Sequence, residues 1–370
     1  MKNVDRHFPG LVFLTMVLLM TSRLPAEDET INKPRRSLSA FPILMYDTNI
    51  GVGYGGKAKF VNFLSRQESL DFIVFNSSGG ERWYVFTFSV PDTEIRQGKT
   101  YPVSFDLKTE YDKYLEYRFY GVGPDSRKRD EADFIYEKKD LQLTLGRGFT
   151  PHLVLQALYT VRNLKISDVQ ENAPLISGVL RKEGDKLCPF VSILVRYDTS
   201  DSQIHPKKGI RLLFQNDWAG KYLGSRDASY HRLTLDLRKY VLFLGQKDVL
   251  AFRARLQSVS GSRIPLFELS SLGGGEDVSA MRGYGLNRYL DKGKILVNAE
   301  YRFPIWERLG GNIFLDGGCV WPSIKKVDLG KSVFDFGWGL RYYLQNFVVR
   351  FDMGISGEGT GIYFNFGHIF

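Results

Sequence analysis

In the last third of the chain, apolar and polar residues alternate almost one by one. Between Lys294 and Ile305, one side carries Ile295, Val297, Ala299, Tyr301, Phe303 and Ile305, and the other carries Lys294, Leu296, Asn298, Glu300 and Arg302. Successive side chains of a strand point to opposite faces, so this period of two predicts strands with one apolar face. Phe334, Phe336, Trp338 and Leu340 repeat the pattern against Asp335, Gly337, Gly339 and Arg341. So do Val349, Phe351, Met353 and Ile355 against Arg350, Asp352 and Gly354. The final segment puts Ile362, Phe364, Phe366, His368 and Phe370 on one side. The apolar sides are rich in aromatic residues, and the polar sides hold arginines and carboxylates in mid-strand. A soluble sandwich gives no reason for opposed charges strand after strand. A transmembrane barrel does, because its apolar side meets lipid and its charged side lines a wet or plugged lumen.

Sixteen such segments can be read, from 39–47 and 51–64 to 346–357 and 359–370. The expected fold is therefore all-β, a 16-stranded antiparallel transmembrane β-barrel. An even count puts both chain ends on one side, where the connections are short. The long ones, near 120–132, 167–183 and 262–293, fall on the other side. Composition agrees: 37 glycines, 14% aromatic residues and 25% charged residues exclude a bundle of membrane helices and leave disorder without support. Cys188 and Cys319 fall on strands that are not neighbours, so two free thiols are expected.

Lys2, Arg6 and His7 precede an apolar run from Gly10 to Met20, with Pro25 and Ala26 at its exit. That order describes a secretory signal peptide, residues 1–26, followed by a short periplasmic leader, 27–40, and a barrel, 41–370. Cleavage removes Lys2, Arg6, Arg23 and Asp5, so the formal charge falls from +9 to +7. No dense basic cluster suits nucleic acid. The expected location is the cell outer membrane, with both termini periplasmic.

Four patterns in the second half carry a family resemblance. Arg196-Tyr197-Asp198 leads to Pro206 and Gly209; the longest loop holds Met281-Arg282-Gly283-Tyr284-Gly285; Asn298-Ala299-Glu300-Tyr301-Arg302-Phe303-Pro304 and Phe314-Leu315-Asp316-Gly317-Gly318 follow it; and Gly337-Trp338-Gly339-Leu340-Arg341-Tyr342 precedes a chain ending in Phe370. In order and spacing this set resembles the outer-membrane assembly-factor superfamily, the BamA and TamA relatives also called bacterial surface antigen barrels. The resemblance covers roughly residues 40–370, with Met281 as a mild departure. It implies that Arg282 folds into the lumen and meets Glu300 and Asp316, with Met281, Gly283 and Tyr284 as the rest of the loop motif. It also implies that Phe364, Phe366 and Phe370 form a C-terminal signal read by the barrel-assembly machinery. The implied role is insertion or translocation of protein, or of lipid, at the outer membrane. Family members usually carry polypeptide-transport-associated domains before the barrel. Residues 27–40 cannot form one, so the chain resembles a barrel-only branch that a separate periplasmic protein would serve.

Other function classes find less support. None of the five histidines shares a short motif with a serine and a carboxylate, and no GxSxG or HExxH occurs. No enzyme activity, metal or cofactor is expected; outer-membrane lipid is the expected surrounding. An autonomous pore is the alternative. Its lumen would present Arg232, Arg238, Arg253, Arg255, Arg302, Arg341 and Arg350 against Asp236, Glu300, Asp316, Asp335 and Asp352, a weakly anion-preferring set.

Overall fold

The computed structural model describes residues 36–370 except 171–173, 244–246 and 345–346. The signal peptide (1–26) and most of the leader lie outside the described residues. The first strand, β1, begins at Ser37, inside the segment assigned to the leader.

The strands in chain order are β1 Ser37–Asp47, β2 Gly51–Val61, β3 Ser69–Ser77, β4 Arg82–Val90, β5 Tyr101–Phe119, β6 Ala132–Gly148, β7 Leu153–Ser167, β8 Asp185–Leu187, β9 Phe190–Asp198, β10 Gly209–Ala219, β11 Ser229–Phe243, β12 Asp248–Arg263, β13 Ser270–Leu272, β14 Tyr289–Asp291, β15 Gly293–Trp306, β16 Leu309–Trp321, β17 Val333–Tyr343, β18 Val348–Ser356 and β19 Gly359–Phe366. Strands β8 and β9 form one wall position, interrupted at Cys188-Pro189, where proline has no N–H to give the ladder. Strands β13 and β14 form a separate hairpin inside the longest loop. Every other strand pairs antiparallel with its neighbours, and β1 pairs with both β2 and β19. The wall is thus a closed 16-stranded barrel.

Alternation sorts its two faces. Ile313, Leu315, Phe334, Phe336 and Trp338 are exposed on the outside. Asn298, Glu300, Asp316, Asp335, Arg341 and Asp352 point inward and are buried. Cys188 and Cys319 are free and buried. Cys319 has the outward parity of Ile313 and Leu315, but it is covered rather than exposed.

The end of the chain departs from the sequence reading. Strand β19 stops at Phe366, and Gly367 (φ 77°) turns the last residues inward. Phe364 and Phe366 lie on the strand, whereas Phe370 is buried with Tyr240, Val249, Ala251 and Ala280. Arg302 Nη2 donates to its carbonyl at 2.9 Å, with the guanidinium over its ring. His368 also leaves the outer face and stands 6.0 Å from the Tyr343 ring. Period two could not foresee this, because a left-handed glycine ends the alternation.

That turn weakens the closure. β1 and β2 are in register from Ser37↔Val61 to Asp47↔Gly51. β1 and β19 are in register only at Tyr46↔Phe364 and Asp47↔Tyr363. Thr48 adds a contact, its N–H donating to the Ile362 carbonyl at 3.1 Å. The register with β1 ends at Tyr46, and beyond Phe366 the chain leaves the wall, so one edge of β1 lacks a strand partner among the described residues.

Candidate functional site

The loop between β12 and β15 enters the lumen. Its base holds a short 3-10 turn, Leu266–Glu268, and the β13–β14 hairpin braces its stem. Beyond the hairpin the backbone folds on itself: Gly274 N–H donates to the Tyr284 carbonyl and Met281 N–H to the Gly274 carbonyl. This tight turn presents Arg282 to the wall.

Arg282 is fully buried. Its Nε and Nη2 reach the two Asp316 carboxylate oxygens at 2.8 and 2.9 Å, a bidentate grip. Nη1 donates to Glu300 at 2.6 Å and to Asp352 at 3.4 Å. The guanidinium plane lies 3.3 Å from the centre of the Phe314 ring. Glu300 and Asp316, the two acids expected from the sequence, are therefore brought together. Asp352 is a third that the resemblance did not supply. Parity had already placed it inward, but a pattern along one strand cannot say which loop it meets.

The wall makes room for the tip by omitting side chains. A Cβ on Gly361 of β19 would stand 2.2 Å from the Arg282 carbonyl oxygen, and one on Gly354 of β18 would stand 2.4 Å from its carbonyl carbon. Gly283 is as constrained, because a Cβ there would meet Asp335 and the β18 backbone. Tyr284 donates to the Phe334 carbonyl at 3.3 Å and Met281 is fully buried, so all four motif residues pack in the lumen.

Two further clusters hold the loop. At its base the buried Glu268 accepts from Arg162 (2.8 Å), Arg232 (2.7 Å) and Tyr230 (2.9 Å). Burial raises a carboxyl's affinity for protons, but the two arginines outweigh it and pull Glu268 down to about 2. Near its far end Arg288 grips Glu358 at 2.6 and 2.8 Å and donates to Ser126. Sequence reasoning missed Glu268 and Arg288, since an irregular loop offers no period from which to infer direction. The inward arginines are also engaged rather than free: Asp236 accepts from Arg238, Arg253 and Arg255.

A closed barrel with an apolar outer belt and an arginine-locked lumen loop defines a class of outer-membrane β-barrel. Residues 62–370 match the Omp85 superfamily domain, and the chain belongs to that superfamily. Solved structures of similar fold include BamA from Haemophilus ducreyi lacking POTRA domains 1–3 (14% identity, TM-score 0.63, covering 90% of this chain and 70% of that one). CdiB from Escherichia coli is similar as well, at 12% identity and TM-score 0.64, covering 90% of this chain and 63% of that one. The chain thus spans under two thirds of CdiB's length. Comparison with curated proteins gives no match.

Proposed function

We propose that this chain aids insertion or translocation of protein, or of lipid, at the outer membrane, and that the β1–β19 seam is where it acts. The observation that carries this reading is the contrast between a loop locked across the lumen and a seam held at two register positions. An unpaired strand edge is a template for another strand. A client strand added along Ser37–Met45 would enter the wall sideways, where apolar side chains already face lipid.

In this reading the short-turn end and both termini face the periplasm, and the long loops face outward. Residues 1–26 direct export, and Phe364, Phe366 and Phe370 serve as the assembly signal before the chain folds. The barrel-assembly machinery inserts the chain, and a periplasmic protein delivers clients. A plain anion pore, the other reading of the arginine-rich lumen, needs an open path; here the loop lies in the lumen and the arginines have carboxylate partners.

The test is a covalent seam. Tyr46 and Phe364 are register partners, close enough for a disulfide when both are cysteine and Cys188 and Cys319 are serine. In vesicles carrying this chain, oxidation should stop insertion of a small client barrel and reduction should restore it. Equal insertion with the seam oxidised would remove the reading.

A further inference from the structure

The outer wall of β3–β7 carries a row of charge that the lumen lock does not use. Arg82, Lys113, Glu137 and Lys165 are consecutive cross-strand partners and face outward at one level. One step toward the short-turn end, the partners Val74, Tyr84, Tyr111 and Lys139 make the next level. A further step brings Phe72, Phe86, Thr109 and Leu141, apolar except for the threonine. The Tyr84 and Tyr111 rings stack at 5.8 Å, and Lys139 lies over the Tyr111 ring. Amphipathic rings of this kind settle at headgroup depth.

Charge on a barrel's lipid face is costly near the bilayer centre and tolerated at the interface. The row therefore marks the level at which the wall meets headgroups. Its cations outnumber its carboxylates. Glu137 accepts from Lys139 at 2.9 Å, with Lys113 at 3.6 Å and the Tyr111 hydroxyl at 3.3 Å. Asp185 stands opposite Lys165 in register. Neither Arg82 nor Lys165 has a carboxylate within ion-pair distance among the described residues. Beneath Lys139 a groove of about 460 Å³ runs between Phe72, Val74, Tyr84 and Phe86. It opens outward, and Phe72 and Val74 are exposed in it.

We infer that this wall is a binding site for a phosphate-bearing membrane lipid. One acyl chain lies in the Phe72–Phe86 groove, and the phosphate lies against Lys139, Lys113 and their cationic neighbours. Excess basic charge at headgroup depth selects an anionic headgroup, and the groove selects a lipid over a free anion. The inference rests on the outer-membrane reading, and with the long loops outside it assigns the lipid to the outer leaflet.

The test uses the full chain in phosphatidylcholine vesicles doped with lipid A or with dephosphorylated lipid A. Flotation first shows incorporation, and retained lipid is then counted by native mass spectrometry. Wild type should retain lipid A and not the dephosphorylated form. A K113Q/K139Q/K165Q variant, with unchanged heat-modifiable gel mobility, should lose at least about tenfold in retention. V74W, which fills the groove without touching charge, should lose it as well. Equal retention of both lipids, or full retention by the triple variant, would overturn the site. Displacement of lipid A by inorganic phosphate would overturn the lipid as occupant. Failure of wild type to float would strike the outer-membrane reading itself, and the site with it.

Discussion

The lumen loop and the seam lie against the same strand and are held in opposite ways. On its inner side β19 receives the loop tip, where Gly361 admits the Arg282 carbonyl and Tyr363 packs on Gly275. On its edge it meets β1 at two register pairs. The loop is fixed by three charge clusters around Glu268, Arg282 and Arg288, all at least 98% buried. The seam has no such cluster among the described residues. A wall strand can therefore part from one neighbour while the lumen contents hold the other side in place. Rigidity beside a weak joint directs movement to the joint.

The largest expected effect comes from the lock. Arg282→Ala leaves Glu300, Asp316 and Asp352 buried around a missing cation, which should cost about 3–5 kcal/mol. Limited proteolysis within 262–293 should become fast, as it should for Arg282→Glu. Resistance unchanged from wild type would mean that the other clusters alone hold the loop.

The tail comes next. Phe370→Ala removes the buried ring that keeps Gly367–Phe370 inside, a loss of about 3 kcal/mol of docking. A freed tail can continue β19 along β1 as far as Ala40, so amides of Ala40–Met45 should gain hydrogen-exchange protection. No gain there would separate the tail from the seam. Gly361→Val, at about 1–3 kcal/mol of overpacking, should displace the loop tip and raise its exchange, with β15–β16 protection unchanged. Loss of protection throughout β15–β18 would show that tip and wall are one unit.

How much of this was legible in the sequence depends on local regularity. Alternation placed Glu300, Asp316 and Asp352 inward and located nearly every strand, because a strand's direction repeats every second residue. The resemblance supplied the pairing of Arg282 with Glu300 and Asp316. What lacked a period was lost: the β13–β14 hairpin, Glu268, Arg288 and the inward turn at Gly367. The seam was invisible for another reason. Its weakness is a missing pairing between residues more than 300 positions apart, and no single strand records which partner it lacks.

A smaller, pH-dependent effect concerns the β3–β4 turn at the loop end. Burial, with repulsion from Asp112, Glu276 and Asp47 and opposed by a Tyr114 hydrogen bond, raises the Glu81 carboxyl to about 8. A carboxyl raised on folding favours the fold while protonated, so its contribution is fully present below the unfolded value near 4.5 and fades as pH rises through 8. Exchange of the Ser77–Arg82 amides should accelerate beyond the intrinsic base dependence as pH rises from about 4.5 to 8, and gain no further excess above 8. Glu81→Gln should remove that excess. The same excess in the variant would assign it elsewhere.

The contrast between joint and lock is tested most directly by paired spin labels on the barrel in nanodiscs. One pair spans the seam from Leu44 to Phe366, and a reference pair spans β2 and β3 from Ala58 to Phe72, which are register partners. The account predicts a broad distance distribution with a long component at the seam and a single narrow one at the reference. A seam as narrow as the reference would contradict it.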